Sequence, residues 1–219
     1  MRRITAIEAQ TRAGSRRLNI FLDGCFAFSL AEDLAARLWP GSFLSDLEIA
    51  ELQRQDDVHR SYDAALTLLS YRPRSVAELR QRLLRKGFDP SIVELVLARL
   101  GEQGMLNDRE FARFWVDTRQ SHRPRGSRML GAELRSKGID RETVDGVLPA
   151  PEEEEEAAFR AGERKARLLK GLDWREFRRR LGEHLVRRGF GYDTADAVAR
   201  RLWAEQRGES GAEQEESEG

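Results

Sequence analysis

The stretch Leu79 to Phe88 reads Leu-Arg-Gln-Arg-Leu-Leu-Arg-Lys-Gly-Phe, and its pattern returns twice further along the chain. Two leucines four residues apart, a cation, a glycine and an apolar residue stand again at 130–139 and 181–190. Each copy follows the previous one after 51 residues, and no gap is needed to align them. Self-similarity at one fixed period is typical of repeat proteins. The sequence therefore predicts three copies of one structural unit.

Each copy predicts a unit of three helices. Its leucines share one face of a basic helix, and this helix ends at the glycine, which adopts the left-handed conformation there without strain. Asp89 or Asp140 then stands where it can cap the next helix, and a further amphipathic helix precedes each leucine pair. A unit of about 50 residues buries little apolar surface alone, so neighbouring units are expected to stack into an elongated, curved rod.

The start of the chain predicts a small antiparallel sheet in place of helices. Two apolar runs, at 17–22 and 25–30, flank Asp23-Gly24, a strong signal for a two-residue hairpin turn. A short helix follows this region. The predicted fold class is therefore mainly α, with three tandem three-helix repeats preceded by a small antiparallel β subdomain.

These patterns divide the chain into six segments. The connecting helix opens at Ser45, which forms a predicted capping box with Glu48. The last residues carry acids and no apolar periodicity, which predicts disorder. The expected segments are a β and short-helix subdomain at 1–44, a connecting helix at 45–63, repeats at 64–108, 109–155 and 156–206, and a disordered acidic tail at 207–219.

The sequence carries no signature of catalysis. His59, His122 and His184 lie far apart without a partnering cysteine, and no zinc, phosphate-loop or dinucleotide motif occurs. We therefore expect a protein that is not an enzyme, with no catalytic residues, no cofactor and no metal. A single cysteine, the lack of a signal-peptide pattern and the lack of a long apolar run predict a cytoplasmic protein without a membrane partner.

The placement of charge is more informative than its total. The chain has 38 Lys and Arg residues and 38 Asp and Glu residues, so its net charge indicates no partner. Cations nevertheless concentrate on the second helix of every copy and on the residues leading into it. Stacking would align them into a basic stripe, and threefold repetition favours a surface that faces a polyanion or an acidic protein over a merely solvated face. The predicted stripe consists of Arg72, Arg74, Arg80, Arg82, Arg85, Lys86, Arg123, Arg125, Arg128, Arg135, Lys137, Arg178 and Arg179.

Two familiar modes of DNA recognition are not favoured. The basic helices carry few aromatic residues that could stack on unpaired bases, and the cluster around Trp115 is more typical of a core. Helix, turn and helix also describe a DNA-binding motif, but the helix after Gly87 is apolar and nearly free of cations. Reading of the major groove is therefore not expected.

Several stretches resemble the RecX family of bacterial regulatory proteins. The resemblance is strongest over residues 64–148 and extends in outline to residue 203. The hairpin region at the start is similar to the N-terminal extension of longer family members. The stretches that carry the resemblance are Leu68 to Arg80, Lys86-Gly87-Phe88, Leu100 to Phe111 and Glu133 to Ile139.

The resemblance implies a modulator of the RecA recombinase that is not an enzyme. It implies an all-helical rod in the groove of the RecA–DNA filament that inhibits the ATPase, strand-exchange and coprotease activities, and so regulates recombination and the SOS response. The RecA filament is the expected partner, single- or double-stranded DNA is a second candidate, and a monomer is expected. The alternative is a DNA-binding helical repeat protein that acts without RecA.

The third copy departs most from this pattern. Copies one and two lead into their basic helix with Arg-Pro-Arg, at 72–74 and 123–125, whereas copy three has Trp174-Arg175-Glu176. We therefore expect copies one and two to provide most of the contact with the partner.

Overall fold

The computed structural model describes residues 1–11 and 16–217, with side chains up to residue 207. In the described residues there are four strands and ten helices. The strands are β1 (Arg2–Ala9), β2 (Arg17–Leu22), β3 (Cys25–Ala31) and β4 (Phe43–Leu44). The helices are α1 (Glu32–Ala35), α2 (Asp46–Tyr71), α3 (Val76–Arg85), α4 (Pro90–Glu102), α5 (Asp108–His122), α6 (Ser127–Ser136), α7 (Arg141–Asp145), α8 (Pro151–Arg167), α9 (Trp174–Arg187) and α10 (Tyr192–Ser217).

The chain forms two compact units whose boundary is offset from that of the repeats. The first unit contains residues 1–73 and 78–106, and the second contains residues 74–77 and those from 107 onward. The first two residues of α3, Val76 and Ala77, thus belong to the second unit, while the rest of that helix belongs to the first. A sequence repeat is therefore not the same as a unit of contact in this protein.

The N-terminal sheet is antiparallel, with strand order β3-β2-β1-β4. The predicted hairpin is confirmed, because Leu22 pairs with Cys25 and the two turn residues Asp23 and Gly24 have φ angles of 51° and 86°. One face packs on α1 and on the start of α2, around the fully buried side chain of Ile20. The sequence pattern does not indicate β4, because two residues show no periodicity.

A buried ion pair fixes α2 to this sheet. Asp56 is 4% exposed, and both of its carboxylate oxygens accept hydrogen bonds from Arg17, at 3.0 and 2.7 Å. The amide of Ala31 donates a further bond of 2.8 Å to the same carboxylate. The Arg17 guanidinium and the Ala31 amide together satisfy the Asp56 carboxylate. Removal of Arg17 would leave the buried negative charge of Asp56 without a cation to neutralise it.

The three repeats use their leucines as the sequence predicts. In each second helix (α3, α6 and α9) both leucines of the pattern are fully buried. The glycine that follows has a positive φ of 87°, 80° and 91° at Gly87, Gly138 and Gly189. Asp89 caps α4 and Asp140 caps α7 through bonds to backbone amides. The buried leucines are Leu79, Leu83, Leu130, Leu134, Leu181 and Leu185.

Some segment bounds differ from those predicted. The capping box at Ser45 is present, but the connecting helix at 45–63 and the first helix of repeat 1 form one continuous helix, α2. The first helix of repeat 3, α8, begins at Pro151, before the predicted start of that segment at 156, because Pro at the first helical position and the glutamates after it favour a helix start.

The C-terminal helix α10 also extends further than predicted. Its backbone is helical to Ser217, whereas composition predicts a disordered tail over 207–219, the last two residues of which lie outside the described residues. Buried Val198 and Leu202 anchor the start of α10 in the core of repeat 3. A helix that is already anchored can grow without a new nucleation step. Residues with only a weak intrinsic helix propensity are therefore sufficient to continue α10.

Candidate interaction surface on the second helices

Helix α3 buries its leucines and exposes a group of cations on its other face. Arg82, Arg85 and Lys86 are exposed, and no carboxylate of the described residues lies within ion-pair distance of them. Their spacing of three and four residues places them on one side of the helix. These three charges are therefore available to a partner.

The other predicted cations of repeat 1 are held by neighbouring groups. Arg80 donates two hydrogen bonds to Glu94, at 2.6 and 2.9 Å, and these bonds lower the pKa of the Glu94 carboxyl. Arg72 forms a two-bond ion pair with Glu78. Arg74 is half-buried in the segment before α3. The first copy of the predicted stripe is thus a mixture of free and paired charges.

In repeat 2, three of the predicted cations are exposed. Arg128 and Arg135 lie on α6, and Arg123 lies just before it. Among the described residues no carboxylate comes within ion-pair distance of these three side chains. Repeats 1 and 2 therefore each present three uncompensated cations.

The remaining cations of repeat 2 surround one half-buried carboxylate, that of Glu133. It accepts hydrogen bonds from the Trp115 indole at 2.8 Å and from Arg119 Nε at 3.0 Å, and it forms an ion pair with Arg125. The Arg119 guanidinium and the Lys137 ammonium lie 4.3 and 5.0 Å from the centre of the Trp115 ring. One carboxylate and one indole ring thus hold three cations close together.

Excess positive charge at this cluster affects Arg125 most. Burial lowers its pKa, and so does repulsion from Arg119, Arg188 and Arg123. The predicted stripe omits Arg119 and Arg188. The repeat register could have identified Arg188, because it occupies the position of Lys86 and Lys137, whereas Arg119 comes near only through folding of α5 against α6. An anion would relieve the repulsion among these guanidinium groups.

In repeat 3 the predicted cations are neutralised within the repeat. Arg178 forms an ion pair with Asp196, and Arg179 binds Glu176 at 2.8 Å and Glu183 at 2.7 Å. Arg180 binds Glu176 as well, and hydrogen bonds from Arg179 and Arg180 lower the pKa of the Glu176 carboxyl to about 2. Helix α9 is rich in arginine but offers less free charge than α3 or α6.

Consecutive repeats are joined through the segment that leads into the second helix. Residues 72–75 and 123–126 are called here the lead-in segments of repeats 1 and 2. The Ser75 hydroxyl donates a 2.7 Å bond to the carbonyl of Lys137, and the first amide of α3 donates a 2.8 Å bond to Asp108. A Cβ added to Gly138 would overlap the side chain of Ala77.

The joint between repeats 2 and 3 repeats this arrangement. The Gly126 amide donates a 3.0 Å bond to the carbonyl of Arg188, and the first amide of α6 donates a 3.0 Å bond to Glu154. A Cβ at Gly189 would overlap Met129. In both joints the corner formed by a cation, a glycine and an apolar residue accepts the preceding lead-in segment. An acid from the later repeat caps the earlier helix.

Metal-ligand clusters and membrane-crossing helices are both absent from the described part of the chain. No three or more His, Cys, Asp or Glu side chains among the residues described lie close enough together to hold a metal ion. None of the helices in the described segments combines the length and apolar content that a membrane-crossing helix requires.

Known proteins match both the repeats and the fold. Three family profiles match in order, the first, second and third three-helix domains of RecX, over residues 62–100, 107–148 and 152–198. The regulatory protein RecX of Bacillus subtilis (strain 168) is 36% identical over 199 residues, which are 89% of this chain and 75% of that protein. The regulatory protein RecX of Bacillus licheniformis is 36% identical over 216 residues, covering 97% and 81% of the two chains.

Solved structures agree with these matches. A crystal structure of a regulatory protein RecX superimposes with a TM-score of 0.71 at 28% identity, and covers 90% of this chain and 98% of that one. A crystal structure of RecX from Lactobacillus salivarius gives a TM-score of 0.64 at 24% identity, which supports the fold. Three consecutive domain matches, relatives alike over most of both chains and a shared fold lead to one conclusion: the chain belongs to the RecX family of regulatory proteins.

Proposed function

We propose that the protein binds the RecA recombinase on DNA and inhibits its ATPase, strand-exchange and coprotease activities by binding alone. It acts in the cytoplasm as a monomer, and its cations meet acidic surface of the filament and exposed phosphate. Family membership gives the regulatory role. The identity of the regulated protein, RecA, is what we propose.

The observation that carries the proposal is the set of uncompensated cations in repeats 1 and 2. Arg82, Arg85 and Lys86 are exposed on α3 without carboxylate partners among the described residues, and repeat 2 presents a similar group of three. The predicted cations of repeat 3, Arg178 and Arg179, are paired with acids of the same repeat, so the contrast between the repeats supports a partner surface in repeats 1 and 2. The free charge therefore marks repeats 1 and 2 as the main contact region.

Repetition of the contact explains how binding alone inhibits a filament. A partner made of identical protomers presents the same acidic surface many times, and two sites on one chain bind such a partner more tightly than either site alone. A chain that holds neighbouring protomers together resists the changes in their arrangement that accompany nucleotide turnover. A chain bound at the end of a filament would block its growth at low stoichiometry.

The deciding experiment is a DNA-dependent RecA ATPase assay. The purified protein is added well below the RecA concentration, and the rate of hydrolysis is followed in time. We expect inhibition of ATP hydrolysis that increases with time, as RecA protomers dissociate from and add to the filament ends. Full ATPase activity at every ratio up to one protein per RecA protomer would contradict the proposed function.

A DNA-binding function without RecA is the second candidate, and the cluster around Arg125 favours it. Arg119 and Arg125 share the single carboxylate of Glu133, and Arg123 and Arg188 lie close to Arg125, so the cluster keeps a net positive charge that suits a phosphate. The two functions are separated by the salt dependence of binding to bare single- and double-stranded DNA. Tight binding with a steep salt dependence and no RecA present would support the second function.

A further inference from the structure

The first repeat carries a corner with the same backbone as the corners that join the later repeats. In each repeat the amide after the glycine bonds back to the carbonyl of the second pattern leucine, at 3.4 Å for Phe88, 3.1 Å for Ile139 and 3.3 Å for Phe190. The glycines also share a positive φ. The corners of repeats 2 and 3 each receive a lead-in segment, so the corner of repeat 1 has the shape of an acceptor.

Nothing in the described residues fills this acceptor. The space in which Gly87 would carry a Cβ has no atom within 4 Å, whereas Gly138 and Gly189 are in close contact with the preceding repeat. Among the described residues no donor reaches the carbonyl of Lys86, although the equivalent carbonyls of Lys137 and Arg188 both accept hydrogen bonds. The backbone of the corner at 86–88 therefore keeps a free acceptor.

The apolar residue of the corner shows the same lack of cover. Ile139 is 3% exposed and Phe190 is fully buried, but Phe88 is only half-buried, with the Arg60 guanidinium 5.8 Å from its ring centre. In repeats 2 and 3 the preceding repeat packs near this position. In repeat 1 a partner could bury the same apolar surface.

A groove with acidic groups runs beside the open corner. It has a volume of about 950 Å³ and carries both signs of charge. Phe88 and the acids Asp63, Glu32 and Asp33 line it together with Arg16, Arg17, Arg60 and His59. Asp63 is exposed, with no ion-pair partner among the described residues. In the internal joints Asp108 and Glu154 accept bonds from the first amides of the incoming helix, and the exposed carboxylate of Asp63 can serve in the same way. The Asp33 carboxylate is already 3.5 Å from the His59 ring.

We infer that the corner at 86–88 and its groove form a docking site for the amino-terminal turn of an α-helix in the regulated protein. The internal joints define the occupant. Its cap residue is small, like Ser75 and Gly126, and a cation precedes that residue, as Arg74 and Arg125 do in the internal joints. The free carbonyl accepts a bond from its cap residue, Phe88 packs against its first turn, and the acids receive its unpaired amides.

A second copy of this chain does not fit as the occupant. In repeat 3 the residue before the second helix is Asp173, and the first residue of that helix is the bulky Trp174, where the internal joints have Val76 and Ser127. The Asp173 carboxylate already caps α9 through a 3.0 Å bond from the Glu176 amide. Repeat 3 therefore closes its own end, and the acceptor of repeat 1 is directed to a different protein.

The test uses a neutral side chain that fills the corner. Gly87→Asn keeps the backbone, because asparagine tolerates a positive φ, and it does not change the charge of the basic helix. Gly171→Asn is the matched control, since Gly171 has the same φ of 87° and open space around it but lies in repeat 3. The inference rests on the proposed function, so binding of the full-length variants to RecA filaments on single-stranded DNA is measured at one salt concentration.

We expect Gly87→Asn to bind the filament about tenfold more weakly than the wild type, a loss of about 1.4 kcal/mol, and Gly171→Asn to bind as the wild type does. Binding to bare DNA should not differ between the two variants. If the wild type binds the filament and both variants bind equally well, the docking site is wrong and the proposed function stands. If the wild type does not bind, the proposed function fails and the docking site fails with it.

A surface variant protects the test against misfolding of Gly87→Asn. Asp63→Ala removes an acid of the groove without touching the core, and Glu102→Ala removes an exposed acid elsewhere in repeat 1 with the same change of charge. Weaker filament binding by Asp63→Ala alone supports the docking site. Equal binding by these two variants overturns it.

Discussion

Repeats 1 and 3 carry the same sequence pattern in opposite surroundings. Phe190 is fully buried and Gly189 is in close contact with repeat 2, whereas Phe88 is half-buried and Gly87 has open space. The cations of α9 are mostly paired with acids of the same repeat, while Arg82, Arg85 and Lys86 have no carboxylate partner in the described part of the chain. The same motif of cation, glycine and apolar residue can therefore stabilise the contact between two repeats at one place and remain available to a partner at another.

The two glycines give the largest expected difference. Gly189→Ala introduces a Cβ that overlaps Met129 and also strains a backbone with φ of 91°. We expect it to lower the free energy of unfolding by about 3 kcal/mol or more, because overpacking adds to the left-handed strain. Gly87→Ala, with φ of 87° and open space, should cost only about 1–2 kcal/mol. Urea-induced unfolding measures both, and equal losses would contradict the distinction between a joint and an open corner.

Charge reversal on the two basic helices separates binding from stability. Arg82→Glu with Arg85→Glu should weaken filament binding about tenfold or more and leave the melting temperature unchanged, because these side chains have no ion-pair partner among the residues that the structure describes. Arg80 is left intact because it is paired with Glu94.

The matched pair in repeat 3 is Arg179→Glu with Arg180→Glu, which carries the same change of charge. It places new acids beside Glu176 and Glu183, so it should lower the melting temperature and affect binding less. Filament binding and thermal unfolding are measured for both double variants. Stronger loss of binding from the α9 pair would overturn the assignment of the contact to repeats 1 and 2.

The smallest expected effect is a change in how the stability of the protein depends on acidic pH. Hydrogen bonds from Arg179 and Arg180 lower the pKa of Glu176 from 4.5 to about 2 in the folded protein. The group therefore contributes stability that is fully present above pH 4.5 and is lost as the pH falls towards 2. Glu176→Gln should show a weaker decrease of stability between these two pH values, measured by urea unfolding at each pH. A slope identical to that of the wild type would mean that the ion pairs are not formed in solution.

Much of the fold follows from the sequence because it depends on local rules. The 51-residue period, the buried leucine pairs, the glycines with positive φ, and the hairpin at Asp23-Gly24 all come from periodicity and backbone preference. The family resemblance also follows from these residues, and the profile matches over all three repeats confirm it. Such features need only the properties of neighbouring residues along the chain.

The site is less predictable, because a list of cations does not give their partners. Arg80 and Glu94 lie 14 residues apart, and Arg178 and Asp196 lie 18 apart, so only folding shows that these charges are paired. The cluster of Arg119, Arg125 and Glu133 likewise requires α5 to pack against α6. The predicted stripe therefore contains both free and neutralised cations.

The array of three helical units follows from the sequence alone. The hydrophobic period and the glycines that end helices are signals between neighbouring residues, so they can be identified without the fold. Only the tertiary structure decided which of three nearly identical corners is open. This is because the hydrogen bonds between repeats join residues far apart in the chain, such as Ser75 with Lys137 and Gly126 with Arg188. No repeat in the described residues packs against the first corner, and so the Lys86 carbonyl and Gly87 stay uncovered there and Phe88 is only half-buried.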